Sequence, residues 1–136
     1  MKVFLDTNIF LDTIVRRDKR EDNENAFRLL KIAALDGFEF YISPITVSNS
    51  FYILRKETDV AATIGNRLGN IHILPMDDKD VRYALSGHIT DMEDAMQVSC
   101  ADRGGCDIII TRDSRHFADS PVPAFSPAEF LARLNV

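Results

Sequence analysis

Four aspartates stand where a folded chain can gather them: Asp6, Asp91, Asp94 and Asp113. Asp6 follows the strand-forming run Lys2 to Leu5 (KVFL), in Leu5-Asp6-Thr7-Asn8. Asp113 follows the buried-strand run Asp107 to Ile110 (DIII), in Thr111-Arg112-Asp113. Asp91 and Asp94 are three residues apart, so both project from one face of a helix's first turn. Carboxylates drawn within a few ångströms of one another repel severely unless a cation sits among them. Oxygen donors alone, with no His or Cys, suit Mg²⁺ or Mn²⁺ rather than Zn²⁺. One or two such ions activate water and stabilise in-line displacement at phosphorus. Asp6 and Asp94 are the core metal ligands on this reading, and Asp113 completes the site directly or through water.

Each acid also has a purely structural role open to it. Asp6 can cap the helix after its strand, and Asp113 can cap the short helix before Phe117. Asp91 lies where a helix dipole favours carboxylates. Asp94 is followed by Ala95 and apolar residues, so its face lies close to the core and favours function. Glu93 is assigned to a capping box opened by Thr90 three residues earlier. Among the basic residues, Arg112 and Arg115 flank Asp113, with His116 nearby, and are the candidates for gripping substrate phosphates. Arg16, Arg17, Lys19 and Arg20 are diluted by Asp18, Glu21 and Asp22 and read as a solvated connection, or as phosphate ligands if that loop borders the carboxylate edge. Phe51, Tyr52 and Leu54 read as core or a partner-binding surface, with core preferred, and Cys100 and Cys106 as reduced core residues.

The elements that must position these residues alternate. After the first strand comes a helix over Ile9 to Val15, a charged connection over Arg16 to Glu24, and a helix from Asn25 to Leu35. Gly37 ends that helix, and Phe38 to Ile42 is a second strand. Ser43 as cap and Pro44 at the first helical position open a helix to about Lys56. A shorter helix covers Asp59 to Leu68, Ile71 to Leu74 is a strand, and Asp78 to Leu85 is a helix capped by Asp77 or Asp78. The helix opened at Thr90 closes at Gly104-Gly105, and Ser126 to Glu129 is a capping box for a last helix through Leu134. Apolar strands alternating with helices imply parallel strands covered on both sides. The expectation is one domain over residues 1–136, an α/β/α sandwich with a mostly parallel sheet of four or five strands. Ligands of such sheets bind outside the carboxyl ends of the strands, where Asp6 and Asp113 meet if their strands are neighbours.

Composition narrows the partners. The chain has 136 residues, 46% hydrophobic and 27% charged, which is ordinary globular composition. Its formal net charge of −5 counts against holding nucleic acid by blanket positive charge. Of the 21 acids, setting aside the four aspartates leaves 17 against 16 Lys+Arg, so most of the excess can belong to one site. Asp6 and Asp12 interrupt the apolar start as no signal peptide would tolerate, and no apolar run is long enough to span a membrane. A cytoplasmic protein without membrane contact is expected.

Strand one running into Asp6-Thr7-Asn8, the D-x-x-D-A of Asp91 to Ala95, and the strand ending in Thr111-Arg112-Asp113 together resemble the PIN domain family, in this order and over essentially the whole chain. The resemblance implies an α/β/α sandwich and an Mg²⁺- or Mn²⁺-dependent ribonuclease hydrolysing RNA. It also implies the toxin half of a type II toxin–antitoxin pair in the VapC style, with a small antitoxin partner and homodimerisation. It gives Asp6, Asp94 and Asp113 metal-ligand or site roles, with Asp91 as an extra acid. Thr7, Asn8 and Thr111 shape the site, and Thr111 is placed to hydrogen-bond Asp6. One departure stands out: active members carry a Glu early in the helix opened by Pro44, where this chain has Asn49 and no acid. Asp91 is then the substitute acid.

The main alternative is a catalytically weak PIN-like module that binds RNA or protein. A haloacid-dehalogenase-type phosphatase also begins with an Asp after strand one, but Asn8 stands where its second Asp belongs. No P-loop, G-x-G-x-x-G or G-x-S-x-G pattern is present.

Overall fold

A computed structural model describes residues 1–35 and 37–134. Five strands form one sheet: β1 (Lys2–Leu5), β2 (Glu39–Ile42), β3 (Ile71–Ile73), β4 (Ile108–Ile110) and β5 (Ala124–Phe125). Their order is β3-β2-β1-β4-β5, and every pair is parallel. The chain builds outward from β1 in one direction and then resumes at β4 on the other side. The switch point therefore lies between β1 and β4, where open parallel sheets bind ligands.

Alternate strand residues face opposite layers, as the two-residue period requires. Val3, Leu5, Phe40, Ile42, Ile108 and Ile110 pack into one cluster with residues of α1 (Thr7–Asp12), α2 (Arg20–Ala33), α4 (Val60–Arg67) and α7 (Pro127–Arg133). Phe4, Tyr41 and Ile109 enter a second cluster with α5 (Asp78–Leu85) and α6 (Met92–Arg103). Helices thus cover both faces, as the apolar strands demanded. Among the described residues, no helix is long and apolar enough to cross a membrane.

Local chemistry sets the helix ends. Asp6 caps α1 by accepting from the Thr7 N–H, so the helix starts at Thr7 rather than the expected Ile9. Its end at Asp12, short of Val15, follows from Thr13, whose hydroxyl donates to the Phe10 carbonyl. Helix α2 begins at Arg20, five residues before the expected Asn25, because Glu21 and Asp22 sit favourably in its first turn. Asn23 then donates to the carbonyls of Asp12 and Val15, tying the connection down. Ser43 and Pro44 open α3 (Pro44–Ile53) as expected, and the capping boxes Asp77/Asp80 and Ser126/Glu129 both form.

Helix α6 departs by one residue. Its cap is Asp91, not Thr90, and the Asp91 carboxylate accepts from the Asp94 N–H at 2.9 Å. Thr90 and Asp91 are both good caps, and the shift frees Glu93 from the capping box. Phe51 and Tyr52, expected in the core, stand exposed on α3, while Leu54 is buried.

Candidate active site

The β1–β4 pairing brings the first and last site segments together. Val3 is in register with Ile108 and Leu5 with Ile110, and the Asp6 N–H continues the ladder by donating to the Ile110 carbonyl at 3.0 Å. Asp6 and Thr111 therefore emerge side by side. Thr111 donates its hydroxyl to Asp6 Oδ2 at 2.9 Å and accepts from the Asp113 N–H at 3.3 Å. One threonine links both acids.

Asp6 Oδ1 accepts from the Thr7 N–H at 2.9 Å and from Gln97 Nε2 at 3.4 Å. Gln97 is fully buried and was not singled out from the sequence. Its amide donates to Thr46 Oγ1 at 3.1 Å and accepts from Ser43 Oγ, and Thr7 and Thr46 pair their hydroxyls at 3.0 Å. This network joins the starts of α1 and α3 to α6 and fixes the Asp6 rotamer from below. The signal for it was the spacing of Asp94 and Gln97, three apart on one helical face.

A cleft of about 390 Å³ opens above, lined by Asp6, Thr7, Asn8, Asn49, Tyr52, Ile53, Glu93 and Asp94. A second cleft of about 490 Å³ lies beyond, lined by Asp91, Arg115 and His116 among others, with Asp94 on the wall between the two. Asn49 Nδ2 donates to Glu93 Oε1 at 2.8 Å across the first cleft. Glu93 is thus a cleft residue, correcting its assignment to a capping box.

The charge is under strain. Burial, followed by Asp6, Asp91 and Glu93, pushes the Asp94 carboxyl up to about 7. Burial also raises Asp6, against the hydrogen bonds from Thr111, Thr7 and Gln97. Glu93 is raised by desolvation, then by Asp6 and Asp91.

Asp113 meets this group through His116. Its carboxylate turns to His116 Nε2 at 3.1 Å and to Arg115 Nε at 3.7 Å, while His116 Nδ1 lies 4.0 Å from Asp94. Among the described residues, no three His, Cys, Asp or Glu side chains are grouped to hold an ion as they stand. Asp113 is tied to Asp6 through Thr111 and faces Asp94 across His116. Asp91, expected as an extra site acid, is engaged as a helix cap. The donor chemistry still fits a hard divalent cation, since Asp6, Glu93 and Asp94 offer the first cleft only oxygen and surplus negative charge.

Arg112, a candidate for substrate phosphates, is held by acids of the chain itself. Its Nε donates to Asp12 Oδ2 at 3.0 Å, and its other nitrogens meet Asp12, Asp18 and Asp22. Asp12 is 2% exposed. Removing one partner of a buried pair strands the other, so Arg112→Ala is expected to cost about 3 kcal/mol of unfolding free energy. Urea denaturation checks this, and a loss below about 1 kcal/mol, the range of exposed pairs, would contradict it. Arg115 remains exposed beside the second cleft. Arg17, in the loop expected to bear on substrate only if it borders the carboxylate edge, donates to Asn8 Oδ1 at 2.8 Å and so stands at the mouth of the first cleft.

The chain is 23% identical over 141 residues to Ribonuclease VapC1 of Aquifex aeolicus (strain VF5), covering 98% of this chain and 96% of that protein. Its fold is similar to a chain of a toxin-antitoxin complex from Klebsiella pneumoniae, with TM-score 0.71 and 21% identity over 92% of this chain and 97% of that one. It is also similar to a chain in the crystal structure of VapBC2 from Rickettsia felis bound to a promoter DNA fragment, with TM-score 0.70 and 18% identity over 93% and 98%. A family model described as PIN domain matches residues 2–115. With that match spanning the β1–β4 switch point and all four aspartates, the chain belongs to the PIN domain family.

Proposed function

We propose that this protein is a divalent-metal-dependent endoribonuclease, hydrolysing RNA phosphodiester bonds as the toxin of a type II toxin–antitoxin pair. The observation that carries the reading is the cleft at the switch point, where Asp6, Glu93 and Asp94 share one wall system with only oxygen donors. Asp6 and Asp94 would hold the cation, with Asp113 completing the site. When bound, Mg²⁺ or Mn²⁺ polarises the phosphodiester and lowers the pKa of water. Thr111, Thr7 and Gln97 keep the Asp6 carboxylate aimed at the cleft. Asn8, Asn49 and Thr7 shape its mouth, and Asp91 adds negative potential from the cap. Arg115 and Arg17 are the cations that can meet backbone phosphates on either side.

An antitoxin-like partner is supported by the apolar groove beside the cleft. Val47, Phe51, Tyr52 and Ile73 line it, and Tyr52 also lines the first cleft. A segment covering that groove would reach the acids. The related toxin–antitoxin structures support the same partner class. A second reading, a PIN-like binding module of little activity, is supported by Asn49, an amide on the helix where the family resemblance expects an acid.

Cleavage of an RNA panel by wild type and Asp94→Asn, with Mg²⁺ or Mn²⁺ and with chelator, tests the proposal. Wild type is expected to cut, chelator to stop it, and Asp94→Asn to lose about 100-fold or more, as loss of a charge-stabilising group does. Equal residual activity in the two proteins sinks the nuclease reading.

A further inference from the structure

We infer that Glu93 is a cation-binding carboxylate of the cleft and that Asn49 is the residue that positions it. The inference rests on the metal-dependent nuclease reading and deepens it. Three acids lie at or near the start of α6, and each has a different employment. Asp91 is held by the helix end as its cap. Asp94 forms the wall between the two clefts. Glu93, one residue before it, reaches the first cleft, where its Oε1 accepts from Asn49 of α3 at 2.8 Å.

The chemistry of the tether is informative. An exposed glutamate in a helix's first turn needs no partner, since water and the dipole suffice. A Lys or Arg at position 49 would orient the carboxylate but cancel its charge. An amide donor fixes the side chain and leaves its full negative charge in the cleft. That places a third anion beside Asp6 and Asp94, a cost that a divalent ion offsets. Because the two side-chain ends lie 2.8 Å apart, a carboxylate carried by position 49 would reach the same part of the cleft as one carried by position 93. The site's acid can therefore be moved from α6 to α3 with its charge kept in that cleft.

The test is calorimetric titration of the full chain with Mn²⁺, alongside metal-dependent RNA cleavage. Four proteins are compared: wild type, Glu93→Gln, Asn49→Ala and the exchange Asn49→Glu/Glu93→Asn. Glu93→Gln is expected to weaken Mn²⁺ binding by about 10-fold or more, in the range seen for residues supporting metal sites. Asn49→Ala is expected to weaken it by a smaller factor, and the exchange to recover most of the loss. Circular dichroism confirms that each variant is folded, as expected for side chains at a cleft surface. Wild-type Mn²⁺ affinity retained in Glu93→Gln overturns this assignment alone and leaves the nuclease reading standing. A loss that the exchange fails to recover also overturns it, because the ion would not be reading a carboxylate where the two side chains meet. Wild type that takes up no Mn²⁺ overturns the metal reading itself, and this assignment with it.

Discussion

Asp6→Asn is expected to abolish metal-dependent RNA cleavage while leaving the protein at least as stable as wild type. The activity loss should reach about 10³-fold, equivalent to about 4 kcal/mol of transition-state stabilisation. Stability moves the other way because the Asp6 carboxylate is buried, and burial raises its pKa despite three hydrogen bonds. The folded protein thus bears a charge that it would hold more cheaply as a neutral amide. Asparagine keeps an oxygen for the surrounding donors and removes that charge. Cleavage assays and a thermal melt in metal-free buffer check both halves. Unchanged metal-dependent turnover, or a melting temperature well below wild type, would contradict the account. A site that trades stability for function is the expected pattern where acids are gathered for chemistry.

The second large effect is a pH dependence of stability. Asp94 has its carboxyl pushed from the ordinary 3.8 to about 7 by burial and by the Asp6, Asp91 and Glu93 charges. Between those values the folded chain keeps a proton that the unfolded chain has released. Stability therefore falls as pH rises from the ordinary carboxylate range to about 7, and levels off above it. Asp94→Asn should flatten this slope. The variant is expected to match wild type in acid and to exceed it above neutral pH by roughly 1–2 kcal/mol, allowing for solvent screening of a partly exposed group. Bound Mn²⁺ should oppose the same repulsion, raising the wild-type melting temperature more at alkaline than at acid pH. Denaturation curves across the pH range read all three effects. A wild-type slope of the opposite sign would contradict the charge assignment.

Much of this was legible in the sequence for local reasons. Ser43-Pro44, Asp77 and Ser126 announced helix starts through side chains that act within three residues. The apolar runs KVFL and DIII announced buried strands, and the polar clusters after them fell at the sheet's binding edge. Asp6 and Asp94 followed from that placement. What the sequence concealed depended on distant partners or on near-degenerate local choices. Arg112 beside Asp113 looked like a phosphate ligand, and only the fold reveals Asp12, Asp18 and Asp22 around it. Thr90 and Asp91 compete as caps, and a shift of one residue turns each side chain by about 100° around a helix of 3.6 residues per turn. That single step moved Glu93 from a capping box into the cleft. Strand β5 has only two residues, Ala124 and Phe125, too short to register as an apolar period.

On the proposed function, the chain's excess acidity is concentrated at the β1–β4 switch point to hold a divalent ion for RNA cleavage. Its net charge of −5 is then less a property of the surface than of one cleft. Anomalous diffraction from a crystal soaked in Mn²⁺ tests this most directly. One or two manganese peaks are expected in the cleft bounded by Asp6, Glu93 and Asp94, with none there in Asp6→Asn. Manganese bound only elsewhere on the chain, with that cleft empty at saturating metal, would contradict it.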